Sequence, residues 1–183
     1  MKKISLFGLS ILAVVILACG PNAKNANNTQ VPKSWKTYNE GGYSIQYPDS
    51  FYLDRSGKAG AAFALLSNQT SQQDRFRENI NLIIQNLAGQ NIDLNKYVQI
   101  SQDQIKSMIT DGTVIESTRM KKNGLEYQKI IYTGMQGMYG LKWMQYYWIK
   151  NEKAYVLTLT CEADQYDHYA EIGEKIMDTF TLK

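Results

Sequence analysis

The stretch Leu141 to Ile149 constrains the fold more than any other part of this chain. Successive side chains of an extended strand point to opposite faces. Leu141, Trp143, Gln145, Tyr147 and Ile149 fall on one face, and Lys142, Met144, Tyr146 and Trp148 on the other. Both sets are largely apolar. The strand is therefore expected to be central in its sheet and covered on both sides.

The flanking segments supply neighbours and covers. Trp35 to Tyr38 and Tyr43 to Tyr47 alternate apolar with polar residues about Glu40-Gly41-Gly42, a hairpin pattern. Pro48-Asp49-Ser50 stops the second strand, because proline cannot continue a ladder, and Phe51-Tyr52-Leu53 follows as a short apolar plug. Ala61 to Leu66 and Ile80 to Leu87 read as strands on either side of a polar, turn-like stretch from Ser67 to Glu78. The period then changes. Leu94, Tyr97, Val98, Ser101, Ile105, Met108 and Ile109 share one helical stripe, closed by Asp111-Gly112.

Val114 to Met120 and Leu125 to Thr133 read as strands joined at Asn123-Gly124, residues suited to the positive φ of a tight hairpin. Gly134 to Gly140 reads as a loop bearing glycine and methionine. Lys153 to Cys161 pairs with Leu141 to Ile149 around Asn151-Glu152, where glutamate at the second turn position predicts a looser turn. The last helix starts at Asp164 as its cap, with Asp167 as the capping-box acid and Tyr169, Ile172, Ile176 and Met177 as its apolar stripe. Phe180-Thr181-Leu182 adds a short final strand. Strand runs joined by hairpins, with two helices, predict an α+β domain whose helices cover an antiparallel sheet.

The N-terminus has a different character. Lys2-Lys3, the apolar run Ile4 to Leu17, and Leu17-Ala18-Cys19-Gly20 form a lipoprotein signal with its lipobox. The apolar run is shorter than the ~20 residues of a spanning helix. Residues 1–18 are thus read as signal peptide, against the alternative of an uncleaved anchor helix, and Cys19 as the lipidated first residue. Several acyl chains there give stable anchoring, where one chain would be marginal. Residues 19–33 read as an Asn-rich flexible tether with a reach of ~20 Å, and residues 34–183 as one domain. The expected location is the extracytoplasmic face of a bacterial envelope membrane. Cys19 is followed by Gly20 rather than Asp, which favours the outer membrane in a Gram-negative cell.

Removing 18 of the 183 residues removes two lysines and no acid, so the net charge falls from +3 to +1. Such a domain has no electrostatic footprint for nucleic acid. If lipid occupies Cys19, Cys161 has no partner for an intramolecular disulfide and reads as a small buried hydrophobe.

Chemistry-bearing motifs are sparse. There is no P-loop or Rossmann glycine pattern and no Gly-x-Ser-x-Gly elbow, and His168 is the single histidine. Asp164, Asp167, His168 and Glu171 are the one metal-like cluster. Acids at a helix start account for it without a ligand, so neither metal nor cofactor is expected. The aromatics carry more weight. Tyr139, Trp143, Tyr146, Tyr147 and Trp148 lie within ten positions. A two-sided core accounts for many of them, and a partner-binding face is the other reading. The candidate surface for a partner is the Gly134 to Gly140 segment, with Met135, Met138 and Tyr139, together with Trp143.

Tyr43-Ser44-Ile45-Gln46-Tyr47-Pro48-Asp49-Ser50-Phe51 resembles the G-x-S-I-x-Y-P-x-x-W opening of PsbP-like domains. Lys150 to Cys161, followed by the helix to Met177-Asp178-Thr179-Phe180, resembles their close. Phe51 and Thr179 stand where the family usually has Trp and often has Ser, changes that keep the chemical type. The resemblance implies an α-β-α sandwich with a central antiparallel sheet and no enzyme. It carries over no calcium or chloride role, since no matching residues are present. The functional expectation is a non-catalytic, lipid-anchored monomer that binds, or assists assembly of, a membrane-associated envelope protein. The alternative is a small-ligand or metal-binding envelope lipoprotein, and a hydrolase is a third.

Overall fold

The computed structural model describes residues 35–69, 71–72, 74 and 76–183. The readings of residues 1–18 and 19–33, Cys19 included, lie outside the described residues. Among the described residues, no helix is long and apolar enough to cross a membrane.

Among the described residues, two α-helices lie on opposite faces of a large antiparallel sheet. The chain runs β1 (Lys36–Glu40), β2 (Tyr43–Tyr47), β3 (Phe51–Asp54), β4 (Phe63–Ser67), β5 (Asn79–Asn86) and α1 (Leu94–Met108). It continues through β6 (Thr110–Lys122), β7 (Leu125–Gln136), β8 (Tyr139–Lys150), β9 (Lys153–Glu162), α2 (Tyr166–Asp178) and β10 (Thr181–Leu182). Seven strands form the main sheet in the order β3-β4-β5-β9-β8-β7-β6. The first hairpin leaves that sheet and pairs instead with the chain's end, giving a second sheet in the order β1-β2-β10. Phe51 to Leu53, read as a plug, forms β3 and pairs with β4.

The strand with two apolar faces is β8, and it is interior and covered as expected. Trp143, Tyr147 and Leu141 pack under α1 with Tyr97, Ile105, Tyr132 and Phe76. Met144, Tyr146 and Trp148 face the other way, packing with α2 residues Ile176 and Met177 and with Tyr43 and Ile45 of the small sheet. Gln145 has a polar side chain in the first layer, and both ends of its amide are bonded. Its Nε2 donates to Thr158 Oγ1 at 3.0 Å, and its Oε1 accepts from the Tyr147 hydroxyl. That satisfies a group whose burial would otherwise be costly.

Both helix boundaries depart from expectation. α1 is capped by Asp93, whose carboxylate accepts from the Lys96 amide at 2.8 Å. It buries Tyr97, Ser101 and Ile105, spaced four apart, but ends at Met108, which is 72% exposed and not part of the stripe. Asp111-Gly112 does not close the helix but lies in β6, inside the register shift between Thr110 and Thr113 that marks a bulge. A Cβ on Gly112 would sit 2.1 Å from the Ile105 carbonyl oxygen, so only glycine lets the strand turn back under the helix end. α2 starts at Tyr166 with Gln165 at the cap position and no side-chain cap bond, so Asp164 does not cap it. The Asn151-Glu152 turn is tight rather than loose. Both residues have positive φ (50° and 53°), and Lys150 pairs with Lys153 directly across it. The Leu87 amide donates to the Glu152 carbonyl at 2.7 Å, a contact that supports the unfavourable conformation.

Candidate functional site

Gly134 to Gly140 is not an open loop. Gly134 to Gln136 continue β7, and Tyr139 and Gly140 begin β8. Gln136 pairs with Tyr139, so the connection is the two-residue turn Gly137-Met138, with Gly137 at φ 60°. The hairpin runs past the end of β9, whose last pair is Glu162 with Leu141. Its tip is thereby held out beyond the sheet by strand pairing rather than by a flexible segment.

The tip carries unusual apolar exposure. Met138 is 82% exposed and Met135 37% exposed. Thr110, two residues past the exposed Met108 at the end of α1, pairs with Met135. Met138 thus stands at the hairpin tip, Met135 faces the α2 side of the sheet with its sulfur beside Gly140, and Tyr139 faces the α1 side. Tyr139 is half-buried, its ring centroid 5.5 Å from that of buried Phe76, which fixes its orientation. Trp143 does not belong to this surface. It is 2% exposed and stacks on Tyr132 at 4.8 Å, inside the layer under α1. The reason is its register: four residues along β8 from Tyr139, it lies within the covered part of the sheet. Met108 is a surface residue that periodicity placed in the core, since its helical phase is right but the helix ends on it.

Acids border the tip. Asp111 follows Thr110, and the Ala163 amide between Glu162 and Asp164 donates to the Gly140 carbonyl at 2.9 Å. Partial burial, with Asp164 and Asp74 nearby, holds the Glu162 carboxyl above its ordinary range.

The metal-like cluster is not assembled. Asp164, Asp167, His168 and Glu171 are exposed, His168 packs edge-on to Tyr169, and Glu171 accepts from Lys175 Nζ at 2.6 Å. No group of three or more His, Cys, Asp or Glu among the described residues is placed to hold a metal ion. Cys161 is fully buried, and burial pushes its thiol well above the ordinary thiol range, so it carries no ready thiolate.

One residue missed by sequence reasoning is Glu78, which is 3% exposed just before β5. It lay in what read as a polar turn. Its burial arises from a non-local bond, the Ser67 amide donating to the Glu78 carbonyl at 2.8 Å. Ser67 Oγ donates to its carboxylate at 3.2 Å, yet burial dominates and raises the Glu78 carboxyl above 4.5. No local pattern announces this.

The layering defines an α+β domain of the PsbP-like fold. No sequence-family model matches the chain, and no curated protein matches it. Its likeness is structural. The chain is similar to cyanobacterial PsbP (CyanoP) from Synechocystis, at TM-score 0.62 and 13% identity over 87% of this chain and 98% of that one. It is also similar to LpqN of Mycobacterium tuberculosis, a protein involved in cell envelope biogenesis, at TM-score 0.61 and 15% identity over 82% and 91%. A third likeness is to PA94 of Pseudomonas aeruginosa, a protein of unknown function and putative regulator, at TM-score 0.53 and 12% identity over 82% and 99%.

Proposed function

We propose that this protein is a non-catalytic, lipid-anchored envelope protein that docks a membrane-associated protein partner through the β7–β8 tip. The observation that carries the reading is the placement of exposed Met108, Met135 and Met138 at the end of the sheet where the described chain begins, at Trp35. Lys36 pairs with Tyr47, and Lys36 Nζ reaches Asp49 at 2.6 Å. The Pro48 carbonyl then accepts from Phe51, and Phe51 pairs with Ser67 at the same end of the sheet as Glu162 and Tyr139. A tether from Cys19 therefore joins the domain at the methionine-bearing end. That end faces whatever the anchored membrane presents.

The flexible Met138 thioether at the tip adapts to a partner's apolar surface, and half-buried Tyr139, on the α1 face, adds contact area at little entropic cost. Bordering Asp111, Glu162 and Asp164 favour a partner whose apolar socket is rimmed by lysine or arginine. The involvement of LpqN in cell envelope biogenesis is consistent with this setting. The test is photo-crosslinking in the native envelope, with a benzophenone amino acid at position 138 and, as control, at Asn123 on the opposite end. A discrete adduct from position 138 alone, lost when Met135→Asp is added, supports the reading. Identical patterns from both positions overturn it.

A further inference from the structure

At the opposite end of the main sheet from the methionine tip lies a cleft of about 350 Å³. It opens between the Asn123-Gly124 turn, the last residues of β8 and the chain's final strand. Its volume falls in the range of about 300–1,000 Å³ typical of small-molecule sites. Its lining combines two chemistries. Trp148, Phe180, Leu125 and Leu182 supply apolar surface, and Lys122 and Lys150 stand at its margin. Trp148 is stacked on Tyr127 at 5.2 Å and packed on Phe180 at 5.0 Å, so the apolar floor is rigid before any ligand arrives. Lys150 Nζ donates one hydrogen to a terminal oxygen of Lys183 at 2.7 Å and keeps the others. Lys122 makes no ion pair among the described residues.

We propose that this cleft binds a small organic anion. An aromatic or acyl body lies against Trp148, Phe180 and Leu182, and its carboxylate, sulfonate or phosphate sits between Lys122 and Lys150. Charge selects the occupant. A neutral apolar ligand would leave the Lys122 ammonium beside it without a counter-charge, whereas an anion gains charge-assisted bonds from Lys122 and from the remaining Lys150 donors. A preorganised floor lowers the ordering cost of binding.

The probe pair is naphthalene-2-sulfonate and its neutral analogue naphthalene-2-sulfonamide. Each is titrated calorimetrically into the full lipidated protein in zwitterionic nanodiscs, with empty discs subtracted. Sulfonate is expected to bind with one site and to weaken as salt rises, while the sulfonamide binds more weakly and is insensitive to salt. Lys122→Gln with Lys150→Gln is expected to lower sulfonate affinity about fivefold, the scale of two exposed charge contacts, and to leave the sulfonamide unchanged. Both lysines are surface residues, and far-UV circular dichroism confirms that the variant is folded. No heat above empty discs, equal affinity for the two probes, or sulfonate affinity unchanged in the double variant would each overturn the proposal.

Discussion

Trp143 and Met138 are five residues apart, and both belonged to one candidate surface in the sequence. The structure separates them, and stability measurements can verify the separation. Trp143→Ala removes a buried, stacked ring and is expected to cost about 3–5 kcal/mol in chemical denaturation. Met138→Ala, on an exposed turn, is expected to stay within about 0.5 kcal/mol of wild type. Glu78 gives a pH-dependent prediction. Its carboxyl is raised in the folded state by burial, so between 4.5 and the raised value the folded chain binds more protons than the unfolded one. Stability contributed by the neutral form is therefore present at low pH and lost as pH rises through that interval. Thermal melts at pH 5 and pH 8 are expected to show a larger fall for wild type than for Glu78→Gln, and the variant is expected to be the more stable at pH 8. Equal falls would show that the carboxyl does not titrate differently on folding.

Element by element, the sequence was most legible where a local pattern had a single physical solution. Alternation placed β8 between two apolar layers, and Asn123-Gly124 gave a hairpin with φ of 49° and 79°. It was least legible where distant contacts decide. Glu152 adopts positive φ because Leu87 and the strand pairing hold it there, and Gly112 matters because of the Ile105 carbonyl seven residues earlier. Of the candidate site, exposed Met138 was legible, but the tight turn and the pairing that turns Met135 and Tyr139 to opposite faces were not. The strand register sets both. These sites give opposite-signed predictions. Gly112→Ala forces a Cβ into backbone and is expected to destabilise by roughly 2 kcal/mol or more. Glu152→Gly relieves a positive-φ position and is expected to stabilise by about 0.5–1 kcal/mol. For a domain of this size the Glu152→Gly gain is a rise of about 2–4 °C per kcal/mol in Tm, readable by calorimetry.

For the whole molecule, the proposed anchor and the methionine-bearing tip lie at one end of the main sheet, and the proposed anion cleft lies at the other. The two surfaces are separable, since changes at Lys122 and Lys150 should leave cross-linking from position 138 intact. Everything about orientation depends on the covalent state of Cys19, and intact-mass spectrometry of the protein extracted from its own envelope reads that state directly. The account predicts a chain that begins at Cys19 and carries the added mass of a diacylglycerol thioether with further acylation of the amine. A chain that retains Met1, or that begins at Cys19 with a free thiol, would contradict it.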